Sequence, residues 1–172
     1  MTDSLKDVNE QIGKTRSDKS GKYLTFKLGP EAYGLEILKV REIIGLMSIT
    51  AVPRTPDYIR GVINLRGKVI PVVDLRTKFS MESKENTDET CIIVVDIGDV
   101  EMGIIVDAVS EVLEIGSGDV EDVPTFGNGV NTDFILGMGK VGEKVIILLD
   151  ISKVLGKEGT LDVLALSESK EA

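Results

Sequence analysis

Two aspartates, Asp74 and Asp150, close similar aliphatic runs, Val69-Ile70-Pro71-Val72-Val73-Asp74 and Val145-Ile146-Ile147-Leu148-Leu149-Asp150. Two carboxylates facing each other across a cleft at roughly 5 to 10 Å are the smallest set that hydrolyses a glycosidic bond. Each aspartate, however, stands directly before a short helical pattern, where a carboxylate caps free amide groups. No other set of residues offers chemistry. The chain has no histidine, which removes the commonest acid–base group at neutral pH, the usual partners of serine and cysteine nucleophiles, and nearly all zinc sites. Its single cysteine, Cys91, lies in the apolar run Cys91–Val95 and reads as a small buried hydrophobe. Neither G-x-x-x-x-G-K-[ST] nor a strand followed by G-x-G-x-x-G occurs. The inventory predicts a protein that is not an enzyme and needs no cofactor or metal. A carboxylate-pair hydrolase is the alternative that Asp74 and Asp150 keep open.

The elements that position these residues are mostly strands. The chain has 172 residues, 42% apolar and only 4% aromatic, so its core is aliphatic and favours β structure. Residues 57 to 76 carry the densest pattern. Val62–Leu65 and Lys68–Val73 flank Arg66-Gly67, a hairpin with a glycine turn. Its strands hold more apolar side chains than one buried face requires, which predicts cover on both sides. Asn64 is placed to bond the turn backbone, and Pro71 is expected at an edge or bulge. The net charge of −9 argues against nucleic acid and anionic membrane as partners. No apolar run reaches the roughly 18 residues needed to span a bilayer, and the first residues are polar; a cytoplasmic protein is expected.

The chain repeats itself. A shift of 69 positions lays Tyr23–Gly29 on Ile92–Gly98, Tyr33-Gly34-Leu35 on Met102-Gly103-Ile104, and Val40–Ile43 on Val109–Val112. A shift of 76 then lays Tyr58–Gly61 on Phe134–Gly137 and Lys68–Leu75 on Lys144–Ile151. Matched glycine, proline and aspartate positions mark a duplication. Each unit reads as about five short strands, enough to close a small barrel. The expected domains are a disordered arm at 1–21, one lobe at 22–79, a surface linker at 80–90, a second lobe at 91–155, and a C-terminal segment at 157–172 with Leu161–Leu166 packing back on the body. Short helices are expected after Thr55-Pro56, ending at Gly61, over Leu75–Phe79 capped by Asp74, and over Ile151–Leu155 capped by Asp150 with Gly156 as stop.

Tyr33-Gly34-Leu35-x-Ile37, Val40-x-Glu42-Ile43 and Arg60-Gly61-Val62-Ile63-Asn64-Leu65-Arg66-Gly67-x-Val69-Ile70-Pro71-Val72-Val73-Asp74-Leu75 together resemble the CheW family, the coupling proteins of bacterial chemotaxis. The resemblance covers about Tyr23 to Leu155, within a CheW-like domain at 22–156. It implies a mainly β fold of two SH3-like five-stranded barrels with short helices. It also implies a non-enzymatic adaptor joining chemoreceptor cytoplasmic hairpin tips to the regulatory domain of the histidine kinase CheA. The receptor tip is expected in the groove between lobes, at Val40, Glu42, Arg60, Gly61, Arg66 and Val69, with Glu42 and Arg66 forming an ion pair. The kinase is expected at barrel ends, through residues the sequence does not name. The second unit has Gly142 where the first has Arg66, so the lobes are expected to serve different partners. The chain leaves no room for a receiver domain, which points to a stand-alone coupling protein, a monomer alone that joins receptor arrays.

Overall fold

A computed structural model describes residues 2–15, 21–127 and 132–155, without the side chains of residues 2–4, 14 and 15. The expected tail contact at Leu161–Leu166 and the stop at Gly156 lie outside these residues. In chain order the elements are helix α1 (Thr2–Thr15), β1 (Lys22–Leu28), β2 (Glu31–Glu36), a 3-10 turn (Ile37–Lys39), β3 (Val40–Gly45), β4 (Ile59–Leu65), β5 (Lys68–Asp74) and α2 (Leu75–Lys78). There follow β6 (Cys91–Ile97), β7 (Val100–Val106), β8 (Ala108–Glu114), β9 (Val120–Glu121), β10 (Ile135–Val141) and β11 (Lys144–Leu149), and a helical turn α3 at 151–155. The hairpin read at 57–76 is β4–β5. Arg66 (φ 52°) and Gly67 (φ 86°) both take the left-handed conformation that a tight two-residue turn requires, and Asn64 Oδ1 accepts the Gly67 amide at 2.9 Å. Asp74 caps α2 through the amides of Arg76 and Thr77, and Asp150 accepts the Lys153 amide at 3.3 Å.

The strands form two SH3-like sheets, one in the order β3-β6-β7-β5-β4, the other β8-β1-β2-β11-β10-β9. Under the repeat alignment these orders are the same, with β9, only two residues long, as the addition in the second. Its counterpart in the first is the single bridge from Thr50 to Val62. The duplication is therefore structural. The expected lobe boundaries need correction, because neither barrel is one contiguous unit. Hairpin β6–β7 of the second unit inserts between β3 and β5 of the first, and hairpin β1–β2 of the first inserts between β8 and β11 of the second. The joints are parallel, Val72 beside Gly103 and Leu148 beside Gly34. The connection between β2 and β3 is one 3-10 turn and that between β7 and β8 is Asp107 alone. Connections so short carry the chain across to the other sheet instead of back along the hairpin just completed.

Three aliphatic clusters follow. Ile63, Ile70, Val72, Ile92 and Val94 fill the five-stranded barrel, and Ile115, Ile146 and Leu148 fill the other. The largest lies between the sheets and includes Phe26, Leu35, Val40, Val73, Ile93, Val95 and Leu149. Alternate residues of β6 thus face the barrel interior and the shared core, so Cys91–Val95 is buried on both faces. An aromatic stack, Phe26–Tyr33–Phe79–Phe134, crosses the junction with ring centroids 5.8, 6.0 and 5.7 Å apart. Beside it Arg76 of α2 grips Asp107 with two hydrogen bonds, 2.7 and 2.5 Å, while Asp107 Oδ2 also accepts the Gly29 amide at 2.7 Å. These bonds tie the first unit to the second.

Further expectations change. Residues 2–15, expected to be disordered, form α1, because Ile12 is buried against the core and Leu5 and Val8 pack beside it. No helix follows Thr55-Pro56; the segment is turn, and Gly61 lies inside β4 at a register shift. Pro71 is not on an edge strand. Val62, its partner on β4, spends both backbone groups on Thr50. The missing Pro71 amide therefore points toward β7, whose pairing begins one residue later, at Val72. The 80–90 linker is mostly exposed, but Met81 packs against the core.

Two predictions follow from this packing. Gly61 has φ 142°, and a Cβ there would lie 2.0 Å from the Thr50 carbonyl oxygen. Gly61→Ala is expected to cost roughly 3 kcal/mol through strain and clash, read as a lowered thermal midpoint; an unchanged midpoint would show the bulge to be adaptable. The second concerns pH. Hydrogen bonding from Arg76, reinforced by the Gly29 amide against the opposing effect of burial, holds the Asp107 carboxyl below its ordinary range. A depressed folded value means stability present above the unfolded value, about 3.9, and lost as pH falls through the folded one. Asp107→Asn should remove that part of the acid dependence, and Asp107→Ala should cost about 3 kcal/mol at neutral pH by leaving Arg76 without its partner. Acid unfolding curves of the three proteins check it.

Candidate protein-interaction site

The β4–β5 turn brings Arg66 over the neighbouring edge strand. Its Nη2 bonds Glu42 Oε1, and its Nη1 lies 3.4 Å from Glu42 Oε2. The arginine side chain is 70% exposed and the glutamate 26%, so the pair stands at the surface and is screened by water. Two more ion pairs flank it, Lys68 Nζ to Glu101 Oε1 at 3.1 Å and Arg41 Nε to Asp96 Oδ1 at 3.6 Å. Arg41, Glu42, Arg66, Lys68 and Glu101 rim a depression of about 470 Å³ whose floor is Leu65 and Ile70. Four strands and the β4–β5 turn line it: β3 gives Arg41 and Glu42, β4 Leu65, the turn Arg66, β5 Lys68 and Ile70, and β7 Glu101, with Asp96 of β6 adjoining. With the adjoining Asp96 each positive group has a negative partner, so the rim suits a partner carrying both charges around a small apolar contact.

The six expected site residues do not all meet here. Glu42 and Arg66 pair as expected. Val69 is 61% exposed, but alternation along β5 turns it to the face opposite Lys68 and Ile70. Val40 has no exposed surface and belongs to the shared core, which corrects its expected receptor-facing position. Gly61 is buried at the β4 bulge, where the close approach of Thr50 explains the glycine. Arg60 lies six strand residues from Arg66, about 20 Å along β4, and bonds Asp74 Oδ2 through Nε at 3.0 Å and Nη2 at 2.7 Å. Its corner is the α2 cap. Lys68, Glu101, Arg41 and Asp96 were not singled out from sequence. The Lys68–Glu101 contact exists because β5 and β7 are neighbours, which the repeat alone does not reveal.

Both aspartates of the hydrolytic alternative serve as helix caps. Burial pushes the Cys91 thiol up to about 11, which leaves it inert at neutral pH. Among the described residues no three histidine, cysteine, aspartate or glutamate side chains are grouped to hold a metal, and no helix is long and apolar enough to cross a membrane. The equivalent hairpin of the second unit, β10–β11, turns at Gly142 and displays Val141 and Val145 instead of a charged pair. Lys140 beside it contacts Glu121 at 3.0 Å. The first hairpin end thus reaches across to β3 through an ion pair, while the second has no such pair and exposes Val141 and Val145 among Lys140, Glu143 and Lys144.

Comparison with known proteins places this arrangement. The CheW-like domain profile matches residues 22–159. The chain is 40% identical to the chemotaxis protein CheW of Klebsiella aerogenes over 154 residues, which covers 90% of this chain and 91% of that protein. It is 34% identical to the CheW of Thermotoga maritima, covering 83% and 93%. Among solved structures, the scaffolding protein TtCheW of Thermoanaerobacter tengcongensis superimposes with a TM-score of 0.72 at 38% identity, covering 79% of this chain and 92% of that one. None of these names describes an enzyme. With the profile spanning most of the sequence and the exchanged two-barrel fold beneath it, this chain belongs to the CheW family.

Proposed function

We propose that the chain is a non-enzymatic cytoplasmic adaptor of chemotaxis that couples the hairpin tips of chemoreceptors to the regulatory domain of the histidine kinase CheA. The observation that carries this reading is the Glu42–Arg66 pair closing a depression with an apolar floor, in a chain of the CheW family. A scaffold must hold two partners at once, and the two hairpin ends differ in the way that task requires. The charged end of the five-stranded barrel is the receptor contact. The end of the other, where Val141 and Val145 are exposed among Lys140, Glu143 and Lys144, is the kinase contact, and its apolar pair keeps the salt dependence moderate. The protein is a monomer alone and joins arrays through its partners.

Arg66→Glu sets two carboxylates together and is expected to weaken receptor-tip binding about tenfold, with little change in thermal midpoint because Arg66 is exposed. The exchange Glu42→Arg with Arg66→Glu restores part of the loss. A double-mutant cycle on tip binding checks this; strictly additive effects mean that the pair does not act as a unit in the contact.

The reciprocal variant tests the division of labour. Val145→Asp should reduce binding to the kinase regulatory domain about tenfold by placing a charge in an apolar contact, while tip binding holds. Calorimetric titration of both variants against both partners gives four affinities. Equal losses for the two partners in either variant would mean that one surface serves both.

A further inference from the structure

Helix α1 lies along the outer side of β3, the edge strand of the five-stranded sheet, and reaches β8. Its contact side is Leu5, Val8, Asn9 and Ile12, the i, i+3, i+4, i+7 spacing of an amphipathic helix. The Asn9 carboxamide binds Ile43 twice, Nδ2 donating to its carbonyl at 2.9 Å and Oδ1 accepting its amide at 2.8 Å. Those are the two backbone groups that an added strand would have taken. Ile43 is the residue after Glu42, so α1 grips the strand that carries the charged depression.

The seat is larger than its occupant. Between Leu5, Leu46, Cys91, Ala108 and Val109 a cavity of about 460 Å³ opens under the first turns of α1, with Asp88 and Glu89 of the 80–90 linker at its mouth. Leu46 and Met47 remain exposed beside it. The helix itself commits little to the site: among its described side chains only Ile12 is fully buried.

We propose that α1 is an internal stand-in for a partner helix. The occupant that fits the whole seat is an amphipathic helix from another protein. It has a carboxamide at the Asn9 position, a side chain larger than leucine at the Leu5 position to fill the cavity, and a basic group within a turn of it to meet Asp88 and Glu89. Binding of that helix displaces α1, so α1 sets a threshold that the partner must exceed. The assignment rests on the adaptor reading, in which the receptor hairpin supplies the helix, and adds to it a competition within the chain.

The experiment uses the full chain with Ile12→Asp, which places a charge in the core and releases α1, and two probes: a labelled peptide of residues 2–15 and a receptor hairpin tip. The expected result is that the peptide binds the released chain at least about tenfold more tightly than the native one, and that the tip gains affinity by a similar factor, because the competent state is no longer rare. Amide exchange at Ile43 reports the seat directly, fast in the released chain and slowed again by either probe. Asn9→Ala is the milder variant and should raise tip affinity about threefold. Equal tip affinity for native and released chains would overturn the proposal, as would an Ile12→Asp chain that fails to fold together with an Asn9→Ala chain unchanged in Ile43 exchange. If the peptide protects Ile43 but the tip binds neither chain, the seat stands and the receptor assignment fails.

Discussion

The fold depends on two parallel strand contacts. Where β7 meets β5 and β2 meets β11, a hairpin from one repeat completes the barrel of the other. Parallel neighbours need a long connection between them; for β5 and β7 it is α2, the 80–90 linker and β6, and for β2 and β11 it is everything from β3 to β10. Gly34 and Gly103 stand at these joints in equivalent positions. A Cβ would come within 2.9 Å of the Leu148 side chain in one case and 2.8 Å of the Ile92 side chain in the other. The residue without a side chain lets the sheets close. Because each exchanged hairpin serves a barrel on one face and the central cluster on the other, both barrels are packed against the same shared core.

Upon this near-symmetric apolar frame the described ion pairs are placed only once, although the capping aspartates recur in both copies. The Arg76–Asp107 clamp has Ser152 and Leu38 at the equivalent positions, and the Glu42–Arg66 pair has Glu111 and Gly142. Burial of aliphatic groups is indifferent to which copy supplies them, so the frame keeps its duplication. Ion pairs need both partners at one spot, and losing one member in either copy frees that end for a different surface. The two hairpin ends came to differ in this way while their backbones stayed alike.

What the sequence revealed and what it hid divide along the same line. The β4–β5 hairpin, its Arg66-Gly67 turn, the Asn64 bond and the two aspartate caps are local, and local residue types specify them. The repeat also showed itself, since matched glycines and aspartates survive divergence. The exchange of hairpins did not. Two similar units offer each strand two nearly identical partners, and no pattern along one chain tells pairing within a unit from pairing between units. Helix α1 was obscured by its charged residues; Leu5, Val8 and Ile12 are too few to hold a helix in isolation, and it forms because the β3 edge and the core receive them. Glu42 and Arg66 came together only through family resemblance, and Val40, apolar in the same motif, went to the core because β3 presents that side to the shared cluster.

The connection at 80–90 runs over the surface between the repeats, largely exposed, with Met81 near its start as its apolar contact with the core. Its contribution is less one of shape than of effective concentration, keeping two interwound halves of one chain near each other during folding. A break within its exposed stretch removes that tether and leaves every strand pairing in place. The halves would then behave as complementing fragments, each carrying the hairpin that finishes the other, so that neither hairpin end outlasts separation of the pair.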